Sequence, residues 1–248
     1  MIKISIITIA YNSAATIEDT IKSVVNQDYQ NIEYIIVDGA SKDDTLKIIE
    51  KYKDKISIVI SEKDKGIYDA MNKGVRLATG DVVGMLNSDD LLANTHIISK
   101  IATAFENNDI DATYGDLTYV DRNNTEKITR KWIAKPYKKG NFLKGWMPPH
   151  PTFYLKNDTY KSLGVYRTDL STAADYELML RMIHKNEIKV HYINDIIVKM
   201  RVGGESNVSL KNRWIANQND RKAWIVNNLK PKPLTLVLKP LSKISQFF

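Results

Sequence analysis

The chain has 248 residues, 43% of them hydrophobic, a formal net charge of +7 and no cysteine. That length supports one sizeable core with at most a small appendage, and the lack of cysteine excludes disulfides, thiolate catalysis and cysteine-ligated zinc. No uncharged apolar run approaches the ~20 residues needed to span a bilayer, and the first ten residues do not read as a signal peptide.

Ile4 to Ile9 is β-branched throughout except for Ser5, which predicts a buried strand. Asn12 and Ser13 are turn and cap types, and Ile17, Ile21, Val24 and Val25 then recur at helical spacing. Tyr34 to Val37 predicts a second strand, ending at Asp38-Gly39. Ser41-Lys-Asp-Asp44 has the spacing of a capping box and should open a helix through Leu46, Ile49 and Tyr52. Ile56 to Ile60 predicts a third strand. Gly66 precedes a helix with Ile67, Met71, Val75 and Ala78 on one face, where Gly74 would permit close backbone approach. A fourth apolar run from Val82 ends in Asn87-Ser-Asp-Asp90.

The middle of the chain is less regular. Ala112 to Tyr119 predicts a strand, with a hairpin through Asp121 to Asn124, and Tyr137 to Gly145 a loop or short helix. Pro148-Pro-His-Pro151 is stiff, because proline locks φ and restricts the residue before it. A helix is expected from Ala173 to Ile183, and two strands at Val190 to Ile193 and Ile196 to Val202. Residues 207–248 carry eight basic groups against Asp220 alone, so the whole net charge resides there. A basic tail with Leu241, Ile244 and Phe248 on one face after Pro240 suits an anionic membrane surface.

Regular alternation of strands and helices implies a largely parallel sheet covered on both faces. Ligands bind such sheets outside the carboxyl ends of the strands. Three strands end in groups able to bind: Thr8 to Asn12, Asp38-Gly39 and Asn87 to Asp90. Adjacent carboxylates at a strand end suit a hard divalent cation, which combines one or two carboxylates with substrate phosphates.

In order, Thr-Ile-Ala-Tyr-Asn (8–12), Val-Asp-Gly-Ala-Ser-Lys-Asp-Asp-Thr (37–45), Ser-Glu-Lys-Asp-Lys-Gly-Ile-Tyr-Asp-Ala-Met-Asn-Lys-Gly (61–74) and Leu-Asn-Ser-Asp-Asp (86–90) resemble the family 2 glycosyltransferases. Pro-His-Pro-Thr (149–152) and Ala-Asp-Tyr-Glu-Leu (174–178) extend the resemblance over residues 2–206. It implies an α/β GT-A fold with a mixed, mainly parallel central sheet, to which the charges of residues 207–248 add a basic helical C-terminal tail. It also implies a nucleotide-sugar donor, Mg²⁺ or Mn²⁺, and inversion at the anomeric carbon. Residues 1–206 would form one domain, with 1–117 binding the nucleotide-sugar, 118–206 the acceptor, and 207–248 an extension.

Residue by residue, the resemblance implies that Asp38 accepts a hydrogen bond from the base, usually uracil, with Thr8, Ala10 and Tyr11 as the facing wall. Asp64 would contact the donor, with Asn72 in packing or a supporting hydrogen bond. Asn87 stands first in a motif commonly written Asp-x-Asp. Asp90 is assigned to the metal, and Asp89 to the ribose or a metal-bound water. Asp175 would be the general base, with Glu177 its nearby competitor. Trp146 and His150 are acceptor-site candidates, Trp146 as a sugar platform or in core packing. Arg201, before a Gly203-Gly204 loop, is placed against the diphosphate. The expected partners are a UDP-sugar, a glycan or lipid-linked saccharide, and an anionic membrane surface reached from the cytoplasm. Nucleic acid is not expected, because residues 1–206 are charge-balanced. A non-catalytic nucleotide-sugar or glycan-binding module is the alternative. A nucleotidyltransferase would need a glycine-rich basic loop after the first strand, and Ala10-Tyr11-Asn12-Ser13 is not one.

Overall fold

The computed structural model describes residues 1–203 and 210–241. From the N-terminus, β1 (Ile4–Ala10), α1 (Ile17–Val25), β2 (Ile32–Asp38), α2 (Thr45–Glu50), β3 (Ile58–Ser61), α3 (Ile67–Leu77) and β4 (Val82–Asn87) alternate. After them come β5 (Asp90–Leu92), α4 (Ile97–Asn107), β6 (Ala112–Val120), β7 (Ile128–Trp132), β8 (Tyr154–Lys156) and α5 (Asn157–Leu163). The chain closes with α6 (Ala174–Met179), β9 (Val190–Arg201), α7 (Leu210–Val226) and α8 (Thr235–Leu241).

All the strands join one sheet in the order β3-β2-β1-β4-β8-β6-β9-β5, with β7 on β6. The first half is parallel: β1 pairs with both β2 and β4, and β2 with β3. Every residue of β1 is buried, as a central strand covered on both faces requires. The second half is mixed, with β8 antiparallel to both β4 and β6, and β9 parallel to β6. The two strands expected at 190–202 are one long strand, with its register to β6 shifted near Gly115 and Asp116. The hairpin at Asp121 to Asn124 joins β6 to β7.

The spacing Ser41 to Asp44 does not form a capping box. The helix starts later, at Thr45, and the Ser41 hydroxyl is given to Asp38 instead. Asp43 accepts from the Thr45 amide at 3.0 Å and the Ala14 amide at 3.0 Å, tying the loop after β2 to the loop after β1. Gly74 sits where α3 crosses β1, and a Cβ there would stand 2.3 Å from Ile7 Cγ2.

Glu33 on β2 lies inside a knot of donors. Lys3 Nζ gives it 2.7 Å, Ser5 Oγ 2.6 Å, and Thr79 both its amide at 2.7 Å and its hydroxyl at 2.5 Å. Burial alone would push this carboxyl up, but those donors outweigh it and hold the group down at about 2. A depressed folded value adds stability above the unfolded value of about 4.3, and that stability is lost as pH falls towards 2. Glu33→Gln should therefore cost up to about 3 kcal/mol at pH 7 and much less near pH 2. Chemical denaturation at the two pH values measures this, and an equal loss at both would contradict it.

Helices α7 and α8 are docked on the domain. Trp224 of α7 is fully buried and donates to Tyr176 Oη at 2.9 Å. Thr235 of α8 donates to the Leu143 carbonyl at 2.7 Å, and Asn217 to the Leu236 carbonyl at 3.1 Å. Lys239 pairs with Asp220 at 2.7 Å and lies 3.6 Å over the Tyr176 ring. Ile244 and Phe248, expected on an apolar face with Leu241, lie outside the described residues. No helix among the described residues is long and apolar enough to cross a membrane.

Candidate active site

The parallel register brings the ends of β1, β2 and β4 to one edge, with Ala10 beside Asp38 and Ile9 beside Asn87. Short polar side chains stitch these ends together. Ser41 Oγ receives the Asn12 amide at 2.8 Å, Thr45 Oγ1 receives the Ser13 amide at 2.7 Å, and Ser13 Oγ meets Ser88 Oγ at 2.8 Å.

At the base end, three sequence-based assignments need correction. Thr8 is fully buried and its hydroxyl meets Tyr34 Oη at 3.1 Å, so its side chain faces the core. Ala10 is buried and its carbonyl is taken by the Gly39 amide at 2.8 Å. Asp38 is fully buried, and its carboxylate accepts from the Ser41 amide at 3.0 Å, the Ser41 hydroxyl and the Ser61 hydroxyl at 2.6 Å. It holds the loop in shape and has little capacity left for a base. The accessible groups are Tyr11 and Asp64. Tyr11 is 64% exposed. A Cβ on Gly39 would stand 3.3 Å from the Tyr11 ring and 3.0 Å from Asp64 Oδ2, so both side chains lie close over the Gly39 backbone. Asp64 Oδ1 is held by Lys73 Nζ at 2.5 Å, and the Asp64 side chain is 11% exposed.

At the end of β4 the two carboxylates differ. Asp89 is partly exposed, whereas Asp90 is fully buried. Asp90 Oδ2 accepts from Asn87 Nδ2 at 3.1 Å, and its Oδ1 has no hydrogen-bond partner. Burial first, and the Asp89 charge second, push the Asp90 carboxyl well above the usual carboxylate range. Asp89 is thus the reachable carboxylate of the pair and Asp90 stands behind it. An orphaned carboxylate oxygen beside a reachable carboxylate fits a divalent cation that takes its other ligands from substrate oxygens. No cluster of three metal-ligating side chains occurs among the described residues.

Arg201 does not reach out to a diphosphate. Its guanidinium gives Nη2 to Asp19 Oδ2 at 2.5 Å, Nη1 to the Asp89 carbonyl at 2.9 Å and Nε to the Arg122 carbonyl at 3.1 Å. All three nitrogens are engaged, so Arg201 pins the backbone of Asp89. Gly204 to Ser206 lie outside the described residues.

Asp175 stands in the first turn of α6, and its side chain is 18% exposed. Its Oδ2 accepts from Tyr68 Oη at 3.0 Å and lies 4.0 Å from His150 Nε2. His150 and Asp175 thus lie near each other. Glu177, the competing carboxylate, is buried against Arg181 at 2.9 Å and Asn227 at 2.9 Å. Arg181 in turn donates to the Leu163, Gly164 and Val165 carbonyls, so the Glu177–Arg181 pair clamps a loop and is structural. Trp146 is also structural. Its indole N–H donates to the Ala134 carbonyl at 2.8 Å and its ring packs among Tyr114, Tyr137 and Phe142. Sequence reasoning missed Tyr68, whose place in the helical pattern gave no sign that its hydroxyl reaches across to α6.

Residues 5–165 match the model of glycosyl transferase family 2. The chain belongs to that family. It is 29% identical over 72% of its length to an uncharacterised glycosyltransferase of Mycobacterium tuberculosis, covering 68% of that protein. It is 26% identical over 82% of its length to a Mycobacterium bovis glycosyltransferase of PGL/p-HBAD biosynthesis, covering 78% of that protein. Among solved structures, Staphylococcus aureus TarS 1–349 in complex with UDP-GlcNAc superposes with a TM-score of 0.70 at 18% identity. That match covers 98% of this chain and 73% of TarS 1–349. The mannosyltransferase PcManGT of Pyrobaculum calidifontis, in complex with GDP-Man and Mn²⁺, superposes with a TM-score of 0.61 at 15% identity. It covers all of this chain and 81% of PcManGT. The fold is GT-A, and this family 2 chain is a glycosyltransferase.

Proposed function

We propose that this family 2 enzyme moves a sugar from a UDP-sugar to a hydroxyl of a glycan or lipid-linked saccharide, with inversion. The observation that carries the reading is the reach of α3. Its Lys73 holds Asp64 beside Gly39 and Tyr11, and its Tyr68 touches Asp175. One rigid helix thereby ties the nucleotide end to the carboxylate that would serve the acceptor. At the nucleotide end, Asp64 Oδ2 would accept from the imide N–H of the base and the Tyr11 ring would lie against its face. Asp89, backed by Asp90, would hold Mg²⁺ or Mn²⁺, which supplies charge neutralisation at the leaving diphosphate. Asp175 takes the proton of the attacking hydroxyl as its oxygen bonds to the anomeric carbon. The bond from that carbon to the diphosphate breaks, and the nucleoside diphosphate leaves. Residues 118–206 supply the acceptor side through His150 and Asp175. Incubating the full chain with UDP- and GDP-sugars, Mn²⁺ and lipid-linked saccharides tests the reading through acceptor-dependent nucleotide release. Donor binding without release across that panel would favour a binding module.

We further propose that the exposed basic groups of the C-terminal segment place the enzyme at the cytoplasmic face of an anionic membrane. Arg221, Lys222, Lys230 and Lys232 are exposed beside Ile225 and Leu234, which are 61% and 63% exposed. Truncation is a poor test, because α8 packs on the domain through Thr235. Lys230→Glu with Lys232→Glu should weaken flotation with phosphatidylserine vesicles at least about 30-fold, since each lysine near such a surface is worth about 1 kcal/mol and two are lost. Unchanged flotation would contradict it.

A further inference from the structure

We infer that Tyr68 is a positioning residue for the proposed base, and that it divides the two oxygens of Asp175 between structure and chemistry. This rests on the reading of Asp175 as the group that deprotonates the acceptor. The Tyr68 hydroxyl donates to Asp175 Oδ2 at 3.0 Å. Asp175 Oδ1 accepts no hydrogen bond among the described residues, although the side chain is partly exposed. Oδ2 is therefore the held oxygen, and Oδ1 is the one left to take a proton. His150 Nε2, 4.0 Å from Oδ2, lies too far for a direct hydrogen bond and leaves Tyr68 as the close donor.

Tyr68 is itself well fixed. Only 9% of it is exposed, and its ring stacks on Tyr166 with centroids 5.9 Å apart. Tyr166 is clamped by Asn72, one turn along α3, which gives its Nδ2 to the Tyr166 carbonyl at 2.8 Å and takes the Tyr166 amide on Oδ1 at 2.9 Å. Residues i and i+4 of a helix share a face, so Tyr68 and Asn72 act as one fixture. A carboxylate on the first turn of α6 can rotate about its side-chain bonds. A donor from a separate element removes that freedom, and small errors in the placement of a reacting group lower rates steeply.

Tyr68→Phe keeps the ring and its stacking and removes only the donor. It should lower kcat for sugar transfer about 10-fold. UDP affinity, acceptor KM and the thermal midpoint should stay at wild-type values. Placed on Asp175→Asn, the same change should alter the residual rate less than twofold, because the carboxylate it orients is gone. Tyr68→Phe with wild-type kcat, or a 10-fold loss repeated on the Asp175→Asn background, would overturn the positioning role while leaving the base intact. Full activity in Asp175→Asn alone would remove the base itself and this inference with it. Should the Phe variant unfold, fluorotyrosine at position 68 keeps the test. Its more acidic hydroxyl must change kcat for the role to stand, and an unchanged kcat would overturn it.

Discussion

Asp175→Asn is expected to lower kcat for transfer about 10³-fold, a typical contribution of a positioned general base. The amide keeps the shape of the carboxylate, and the Tyr68 hydroxyl can still donate to its oxygen, so the fold and the nucleotide end stay as they were. UDP affinity should therefore remain within about twofold of wild type, because Asp64, Tyr11 and Asp89 belong to other elements. The two carboxylates of α6 separate cleanly in this respect. Glu177→Gln should leave the Arg181 guanidinium, the donor to three loop carbonyls, without its counter-charge, so its first effect is on stability. Losing one partner of a buried ion pair costs roughly 3–5 kcal/mol. Isothermal titration with UDP and steady-state rates on the same preparations distinguish the two residues. Equal losses of stability and rate in both variants would contradict the assignment.

Asp89→Asn carries the second largest effect. Asp89 is the partly exposed carboxylate of the pair, proposed above to hold the cation, and Arg201 holds its backbone from behind. The substitution should weaken Mn²⁺-dependent UDP binding about 100-fold, and what binding remains should no longer respond to Mn²⁺. Asp90 answers differently because it is fully buried and its neighbour is Asn87. UDP titrations with and without Mn²⁺ on Asp89→Asn supply the check, and undiminished metal dependence would contradict it.

The parallel half of the sheet was legible in the sequence because each strand is a short β-branched run and each helix an amphipathic one. Local signals of this kind are dictated by period alone. The long strand β9 read as two because Asn194 and Asp195 interrupt the apolar run at the bulge opposite Gly115 and Asp116. The strands β5 and β8 are three residues each and carry too little pattern to detect. Strand ends were legible in part: Asp89 follows β4 and Asp64 follows β3, whereas Asp175 lies in the first turn of α6. Orientation was not. Asp38 and Arg201 carry binding chemistry by type, yet Ser41, Ser61, Asp19 and the Asp89 carbonyl take up their hydrogen bonds. Whether a polar side chain faces a ligand or a neighbour depends on contacts from distant segments. Arg201 and Asp19 lie 182 residues apart in sequence. The same holds for Tyr68, which meets Asp175 across 107 residues.

The most direct measurement is a crystal structure of the full chain with UDP and Mn²⁺, with the metal located by its anomalous signal. The metal should lie about 2.2 Å from an Asp89 carboxylate oxygen. The base should lie between the Tyr11 ring and Asp64, and the diphosphate should point towards Asp175. Nucleotide bound at another face of the sheet, or metal bound away from Asp89, would contradict it.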